Sequence, residues 1–402
     1  MNSNLESLYK IAKKPSRTIV GLMSGTSLDG LDVALCEISG SGEETEVKLI
    51  QFDTVDYSDD IKSEIRNVFA KQTIDFQKLV LLNEWIGLLH ANIILDCLKR
   101  WQIPTDKVDL IASHGQTVFH APKILHQQEK FPNATLQIGD GDHIAVKTGI
   151  ITLSDFRQKH LAAGGEGAPL AVYGDYYIFS KKGENRIMLN MGGIANFTYL
   201  PSSCNPEEVF VTDTGTGNTL IDAFTKLAFP DKSYDKDAAI AKTGVVNPSL
   251  LKTLMSDDFF LKPYPKTTGP ELFNIDYVTK AQAKSNTQNI SVPDLLATLT
   301  RFSAETIAKA INATIKNTPY SIENFNIYMS GGGTHNPLLV QWLKELLPCH
   351  FSTTDALGIS GDAKEAILFA ILANETVSGG NSDFGIRKGI PSVSMGKISF
   401  PN

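Results

Sequence analysis

The sequence predicts an α/β protein of two domains, and three observations support this prediction. The chain has 402 residues, which is more than one hydrophobic core usually organises. Apolar, β-prone runs alternate with helical patterns, as in α/β folds. Glycine-rich turns, nearly all placed just after such runs, occupy residues 21–32, 162–170, 190–198, 212–218 and 330–337. Because glycine lets backbone amides crowd around an anion, these turns indicate a large polar ligand gripped between two lobes.

The individual elements follow from the apolar periodicity. Helix 291–317 begins at Ser291-Val-Pro-Asp, with a capping serine, an early proline and an acid in the first turn. The domain boundary is predicted near residue 150, with residues 1–150 and 376–402 in the first domain and 151–375 in the second. Strands are predicted at residues 18–23, 31–38, 108–113, 135–138, 150–153, 187–190, 209–212 and 326–329. The other helices are predicted at residues 59–69, 76–99, 338–347 and 363–373.

Composition and charge exclude several classes of partner. Hydrophobic residues make up 42% of the chain and charged residues 20%, as in globular proteins with ample cores. The formal net charge is −7 and no basic run stands out. Neither nucleic acid nor an anionic membrane is therefore expected as a partner.

Cysteine spacing and the N-terminal sequence predict a cytoplasmic protein. The four cysteines lie far apart and form no C-x-x-C pair, which favours reduced thiols over a zinc site. The N-terminus lacks the apolar stretch of a signal peptide. Polar residues interrupt the longest apolar region, residues 79–98. This region therefore predicts an amphipathic helix rather than a membrane span.

The first glycine turn is a candidate phosphate site. Gly25 and Gly30 have the spacing of a P-loop, but Leu31 and Asp32 follow where Lys-Ser/Thr should stand. The flanks also predict two strands, whereas a P-loop needs a strand and a helix. Such a hairpin can still hold phosphate oxygens through amides and hydroxyls, with Asp29 or Asp32 near a metal. The alternative is a plain hairpin loop.

The segment T-D-T-G-T-G-N (residues 212–218) places Asp213 where a strand ends and an amide-rich turn begins. A general base beside a phosphate requires this arrangement of a carboxylate and an anion site. The alternative is an Asx-turn, in which the aspartate bonds its own backbone. An aspartic protease is rejected because proteolysis needs two paired carboxylates and the chain has one D-T-G and no D-S-G.

The remaining motifs each have a chemical and a structural interpretation. Residues 330–337 suit a nucleotide contact at a helix N-terminus, or form a simple strand-to-helix connection. Arg157 is a candidate fork for a substrate carboxylate, or forms a surface ion pair. Glu166 and its flanking glycines could bind hydroxyls. Glu365 either contacts substrate or metal, or completes a capping box with Asp362.

The ordered set of motifs resembles the anhydro-N-acetylmuramic acid kinases of peptidoglycan recycling. Together the motifs cover almost the whole chain, and their order and number are specific. They are GLMSGTSLDGLD (21–32), SHGQTVFH (113–120), LQIGDG (136–141), SDFR (154–157), GGEGAPL (164–170), NMGGIANFT (190–198), DTGTGN (213–218), KTTGPE (266–271), GGGTHNP (331–337) and TTDALGISGDAKEAILFA (353–370).

The resemblance implies a two-domain actin-like, sugar-kinase (ribonuclease H-like) fold with ATP in the interdomain cleft. The first domain would carry the first phosphate loop, and the second the catalytic aspartate and the adenosine-side loop. The resemblance also implies ATP as co-substrate and Mg²⁺, whose ligands it leaves open. The expected ATP contacts are Gly25, Thr26, Ser27, Leu28, Asp29, Gly30, Leu31, Asp32, Gly193, Gly215, Gly217, Asn218, Gly331, Gly332, Gly333 and Asn336. The expected substrate contacts are Ser113, His114, Gln116, Arg157, Gly165, Glu166 and Gly167.

The resemblance further implies the reaction and a small-molecule partner. Asp213 would activate water to open the 1,6-anhydro bridge of the sugar, with Glu365 as a second acid near the substrate. The freed O6 would take the γ-phosphoryl group, giving N-acetylmuramic acid 6-phosphate. Relatives also lead us to expect a homodimer.

Three positions depart from the family pattern, and two other functions stay open. Thr216 replaces a usual proline, which predicts a looser loop; Ala238 stands for a glycine, and Pro270 for an arginine. One alternative function is a kinase of another anhydrosugar such as levoglucosan. The other is an actin-like polymerising protein or a sugar sensor without turnover. Asp213 argues against this last alternative, because binding alone needs no general base.

Overall fold

The computed structural model describes residues 2–168, 170–379, 382–385 and 390–402. The chain forms two compact units: unit 1 is Met1–Phe179 with Asp362–Asn402, and unit 2 is Ser180–Gly361. The predicted α/β class is confirmed. The two units divide at 179/180 and 361/362, whereas the sequence predicted boundaries near 150 and 375.

Unit 1 is built on a mixed sheet. Its elements are α1 (Ser3–Ala12), β1 (Ser16–Ser24), β2 (Gly30–Ser39), β3 (Glu46–Asp56), α2 (Asp59–Arg66), α3 (Phe76–Arg100), β4 (Leu110–Ala121), α4 (Lys123–His126), β5 (Ala134–Ile138), α5 (Gly141–Thr148), β6 (Thr152–Ser154), α6 (Phe156–Ala162), α7 (Ala171–Phe179), α13 (Lys364–Ser378) and β12 (Lys397–Ser399). The strand order is β12-β6-β4-β1-β2-β3, and β5 pairs with β4. β1, β2 and β3 form an antiparallel meander, whereas β4 runs parallel to β1 and β6.

Unit 2 repeats this sheet. Its elements are β7 (Asn185–Met191), β8 (Ile194–Leu200), β9 (Phe210–Thr216), α8 (Thr219–Ala228), α9 (Pro248–Leu254), α10 (Ile275–Ser285), α11 (Val292–Ile315), β10 (Phe325–Ser330), α12 (Pro337–Leu346) and β11 (His350–Thr353). The order β11-β10-β7-β8-β9 again joins an antiparallel meander to two parallel strands. This order is that of the ribonuclease H-like sheet, so the predicted fold is confirmed in each unit.

Two contacts explain the shifted boundaries. β6 begins just after residue 150 but pairs in parallel with β4, which places it in the sheet of unit 1. α13 packs directly on the backbone of β1: a Cβ added at Gly21 would lie 2.0 Å from the carbonyl oxygen of Ala366. The helix that carries Glu365 therefore belongs to unit 1.

The structure contains four strands that the periodicity did not predict: β3, β8, β11 and β12. β3 has no buried residue, and its alternation of half-buried and exposed positions is interrupted at Ile50 and Gln51. β8 starts directly after the turn at Gly192 and Gly193 and overlaps the segment assigned to a glycine turn. The other predicted strands and helices overlap observed elements.

Helix α3 is amphipathic, as predicted. Leu82, Ile86 and Ile94 pack in the core of unit 1, while Phe76 and Leu81 are exposed. Among the described residues α3 is also the helix whose length and composition would suffice to cross a membrane. The core helix of a globular unit meets the same criterion.

Two departures from the family pattern have a structural consequence. Asp237 and Ala238 both have positive φ, 56° and 53°. The family glycine would adopt this conformation at position 238 without strain, whereas the Cβ of Ala238 makes it less favourable. Thr216 pairs with Ile194 and is fully buried, so the looser loop predicted at this residue is not observed. Its Oγ1 has no hydrogen-bond partner in the part of the chain that the structure describes.

We predict that Thr216→Val stabilises unit 2 by about 1 kcal/mol, because it removes a buried hydroxyl that makes no hydrogen bond. The matched control lies on the same strand: Thr214 is equally buried, but its Oγ1 donates to the carbonyl of Ala195 at 3.1 Å. Thr214→Val should therefore destabilise by a similar amount. Urea unfolding curves measure both, and equal losses for the two variants would contradict the assignment.

Candidate active site

The first glycine turn joins two antiparallel strands, as predicted. Thr26, Ser27 and Asp29 are exposed, and their amides have no hydrogen-bond partner among the described residues. Leu28, at a positive φ of 61°, and Leu31 bury their side chains in the core. Leu28 and Leu31 can therefore reach a ligand only through their main chain, whereas the three exposed residues offer free donors to an anion.

Acidic groups surround the end of this turn. The Asp32 carboxylate accepts a hydrogen bond from the Thr54 hydroxyl at 2.6 Å. Desolvation raises the pKa of Asp32, the Thr54 bond opposes this, and the Asp362 and Asp29 carboxylates raise the pKa further. Within the described residues no group of three or more His, Cys, Asp or Glu side chains has the arrangement of a metal site. Mg²⁺, however, commonly uses one or two carboxylates, with water and substrate phosphates as the other ligands.

Two predicted substrate residues lie in the interior of unit 1. Ser113 is fully buried on β4, between β1 and β6. Gln116 is also fully buried, and its side chain bonds Ser24 and the carbonyl of Gly25. Neither side chain reaches solvent, so the structure does not place Ser113 or Gln116 at an exposed surface where a sugar could contact it.

Arg157 and His114 form a pair, so the surface ion-pair interpretation of Arg157 is wrong. Arg157 Nε donates to His114 Nε2 at 2.9 Å, and Nη1 donates to the carbonyl of Gly167 at 2.6 Å. Burial lowers the pKa of Arg157 to about 10, an effect that Glu365 opposes. Burial and the Arg157 charge hold the pKa of His114 well below its ordinary value. His114 is therefore a neutral acceptor, and Arg157 Nη2 has no acceptor among the described residues.

The turn at residues 162–170 is fixed by His160. The Gly167 amide donates to His160 Nδ1 at 3.0 Å, and a Cβ added at Gly165 would lie 2.2 Å from the imidazole. Glu166 is exposed beside this anchored backbone. The Glu166 carboxylate raises the pKa of His120, while burial and Arg157 lower it more strongly. The charges of Arg157 and Glu166 therefore both act on His120. His120 was not predicted as a site residue from the sequence.

Glu365 lies in the first turn of α13 and is exposed. The predicted capping box is wrong, because Ala363 is the N-cap and no side chain caps the helix. Desolvation raises the pKa of Glu365; Lys364 and Arg157 oppose this, and Asp32 adds to it. The neighbouring Lys364 is held by Asp175 at 2.6 Å. Glu365, Arg157 and Asp32 therefore interact electrostatically within unit 1.

Three predicted ATP-binding turns of unit 2 meet at Met191. The amides of Gly217 and Asn218 donate to the carbonyls of Gly193 and Gly192 at 2.8 and 2.9 Å. A Cβ added at Gly333 would lie 2.5 Å from the Cβ of Met191. The three turns are therefore packed backbone against backbone.

The third of these turns needs glycine and leads into α12. Gly331 has a φ of 82°, and a Cβ added there would lie 2.6 Å from Asn190 Oδ1. Gly332 is exposed, with only Asn218 within 4 Å of an added Cβ. Asn336 accepts a hydrogen bond from the Leu339 amide at 3.0 Å and is the N-cap of α12. The structure thus gives Asn336 a capping function.

Asp213 is held from outside its own turn. Its carboxylate accepts a hydrogen bond from the Thr268 amide at 2.8 Å, so the Asx-turn interpretation is wrong. Burial raises the pKa of Asp213 to about 6, the Thr268 bond lowers it, and the Glu271 carboxylate raises it. Gly215, two residues further on, has a φ of 139° and lies against Thr306. Asp213 is therefore a half-desolvated carboxylate that is ionised at neutral pH.

Lys266 fixes the segment that holds Asp213, and the sequence analysis assigned it no function. The carbonyl of Lys266 accepts from the Asp213 amide at 2.9 Å. Its ammonium group donates to the carbonyl of Phe259 at 2.9 Å and lies 4.2 Å from the ring centre of Tyr264. Burial lowers the pKa of Lys266 to about 8. In the sequence, only the motif K-T-T-G-P-E (residues 266–271) pointed to this segment.

Pro270, which stands in this motif where the family has an arginine, is exposed.

Two ribonuclease H-like units with glycine turns at their strand ends define the class of actin-like and sugar-kinase proteins. The family model described as anhydro-N-acetylmuramic acid kinase matches residues 17–393. A protein of that name from Pseudoalteromonas atlantica is 55% identical over 405 residues, covering 100% of both chains. Another, from Caldanaerobacter subterraneus, is 38% identical, covering 98% of this chain and 100% of its own. The chain belongs to the anhydro-N-acetylmuramic acid kinase family.

Proposed function

We propose that this chain is the ATP-dependent kinase that hydrolytically opens 1,6-anhydro-N-acetylmuramic acid and phosphorylates O6. The product is N-acetylmuramic acid 6-phosphate, and the location is the cytoplasm. The observation that carries the proposal is the Asp213 carboxylate, with a pKa of about 6, beside packed glycine turns. A base of this pKa is ionised at neutral pH and accepts a proton from water more readily than an ordinary carboxylate.

ATP binding is assigned to the glycine turns of both units. In unit 1, the free amides of Thr26, Ser27 and Asp29 are donors for phosphate oxygens. In unit 2, Gly193, Gly331 and Gly332 are exposed, so their backbone can approach a nucleotide closely. Mg²⁺ neutralises phosphate charge when bound, and Asp32 with Asp29 is the acidic pair that would hold it.

The sugar is assigned to the group formed by Arg157, Glu166 and Glu365. Arg157 Nη2 is the free donor of a guanidinium whose other contacts are fixed, so it suits the lactyl carboxylate of the substrate. Glu166 accepts hydrogen bonds from hydroxyls. Glu365, whose pKa is raised, is an acid near the substrate.

In the proposed reaction, one water molecule is consumed and one carbon–oxygen bond of the sugar is broken. Asp213 accepts a proton from water, whose oxygen attacks C1 of the sugar. The bond between C1 and O6 breaks, and O6 takes the γ-phosphoryl group as ADP leaves. Phosphoryl transfer depends mostly on positioning and charge stabilisation, so a single carboxylate base suffices for the water.

The alternative function, a kinase of levoglucosan, would use the same reaction step without a contact to a substrate carboxylate. The homodimer stays a prediction.

The test of the proposal is a pH profile with a matched variant. Because the base must be ionised, kcat/KM of the wild type with the anhydro-muramic substrate should fall as pH drops through about 6. Asp213→Asn should lower kcat by about 10²–10⁴-fold at pH 7.5, while calorimetry shows unchanged ATP binding. An active Asp213→Asn variant, or a profile flat down to pH 5, would remove Asp213 as the base.

Substrate choice is tested at Arg157. Arg157→Ala should raise KM for the muramic substrate by about 10- to 100-fold, since it removes a charge-assisted contact, and should change levoglucosan turnover far less. Gln158→Ala, in the next position of α6, loses a hydrogen bond to the carbonyl of Thr135 and serves as control. Equal losses on both sugars would show that Arg157 does not bind the carboxylate.

A further inference from the structure

A buried series of side chains lies beneath the first glycine turn. His90, Tyr57, Ser24 and Gln116 are all at most 2% exposed. The Tyr57 hydroxyl lies 2.8 Å from His90 Nε2 and 3.0 Å from Ser24 Oγ. Ser24 Oγ lies 2.6 Å from Gln116 Oε1, and Gln116 Nε2 lies 3.2 Å from the carbonyl oxygen of Gly25. None of these groups except Gln116 was singled out in the sequence.

The donor and acceptor capacities give this series one direction. The Gly25 carbonyl only accepts, so Gln116 presents its amide nitrogen to it and its oxygen to Ser24. Ser24 then donates to Gln116, and Tyr57 donates to Ser24. The one hydrogen of the Tyr57 hydroxyl is donated to Ser24, so His90 donates through Nε2 to the Tyr57 oxygen. Burial lowers the pKa of His90 to about 4, which keeps the ring neutral. Each side chain therefore donates a hydrogen bond to the next, and the last bond is accepted by the Gly25 carbonyl of the first glycine turn.

The same residues hold both ends of the turn. The Tyr57 amide donates to the carbonyl of Asp29 at 2.9 Å. Ser24 Oγ also lies 3.1 Å from the carbonyl of Gly30, but its one hydrogen is donated to Gln116, so this approach adds no hydrogen bond to the turn. The carbonyls of Gly25 and Asp29 are thus bonded to the protein interior. The amides of Thr26 and Ser27, between these fixed carbonyls, are left without protein partners.

We propose that His90, Tyr57, Ser24 and Gln116 are positioning residues for nucleotide binding: they hold inward the carbonyls of the first turn so that its free amides receive the phosphates of ATP. This inference rests on the proposed function, since it takes the ligand of the turn to be ATP. A fixed turn binds an anion better than a mobile one because it loses less conformational entropy on binding.

The position of each residue in the series sets the expected size of its effect. Gln116 contacts the turn directly, so Gln116→Met should weaken ATP binding by about tenfold. Ser24→Ala and Tyr57→Phe act through Gln116 and should weaken it by about fivefold and threefold. These factors correspond to the loss of one ordinary hydrogen bond or part of one. KM for the sugar should change by less than about twofold, because its assigned contacts lie elsewhere in unit 1.

Tyr173→Phe is the matched control. Tyr173 is as buried as Tyr57, also lies in unit 1, and donates its hydroxyl to the carbonyl of Pro391 at 2.8 Å. Its hydroxyl bond and ring contacts, to Pro391, His160 and Phe384, involve other segments than the first turn. Its removal should lower thermal stability about as much as Tyr57→Phe, with ATP affinity unchanged.

The experiment measures binding of ATP with Mg²⁺ by calorimetry, without sugar, together with thermal unfolding and KM for each substrate. Affinity losses that follow the order Gln116, Ser24, Tyr57 and spare Tyr173→Phe support the inference. Wild-type affinity in all three variants, or an equal loss in Tyr173→Phe, overturns it. If Gln116→Met does not fold, Ser24→Ala and Tyr57→Phe decide. If the wild type does not bind ATP, both the proposed function and this inference are overturned. If the wild type binds ATP and the variants bind it equally well, only this inference is overturned.

Discussion

The hydrogen bond between the Thr268 amide and the Asp213 carboxylate is the interaction on which the proposed chemistry depends. It fixes the orientation of a carboxylate that burial would otherwise favour in its neutral form. The segment that supplies the amide is itself fixed, since Lys266 bonds β9 through its main chain and the carbonyl of Phe259 through its ammonium group. Unit 2 thereby holds a partly desolvated base in one geometry, which catalysis of proton transfer requires.

Unit 1 handles charge in a different way. Here the key cation, Arg157, is bound by a neutral histidine and a carbonyl, so its positive charge is not cancelled by a contacting carboxylate. Glu365 interacts electrostatically with Arg157 and with Asp32, and among the described residues it forms no hydrogen bond to either. A group of uncompensated charges around a polar turn costs stability in the free protein. Such groups are typical of sites that complete their interactions with a charged ligand.

Much of the fold could be predicted from the sequence because its signals are local. The serine at the start of α11 accepts from the Asp294 amide, as the motif indicates, and the strands with buried residues show apolar runs. β3 escaped prediction because none of its side chains is fully buried and its alternation of half-buried and exposed residues is interrupted at Ile50 and Gln51. The boundary escaped prediction because β6 and α13 join unit 1 through pairing and packing between distant residues.

The sequence showed which polar residues are candidates for the site, but not which of them are exposed or what holds them in place. Asp213 lies near the end of β9, before a glycine-rich segment, and Arg157 lies at the start of α6, just after β6, so the sequence indicates both directly. Ser113 and Gln116 stand in an equally polar segment, yet both lie in the part of β4 that is buried at every position, Leu110 to Gln116, and only burial reveals this. The hydrogen bonds of Thr268, Lys266 and Tyr57 join segments far apart in sequence, where no local pattern exists.

The central claim is that water activated by Asp213 opens the sugar while ATP phosphorylates it. The most direct measurement is mass spectrometry of the product formed from 1,6-anhydro-N-acetylmuramic acid, ATP and Mg²⁺ in heavy-oxygen water. Unlabelled product kept in the same water corrects for exchange at C1. We predict N-acetylmuramic acid 6-phosphate with one solvent oxygen on the sugar. A phosphorylated sugar without solvent oxygen, or solvent oxygen found only in free phosphate, would contradict the account.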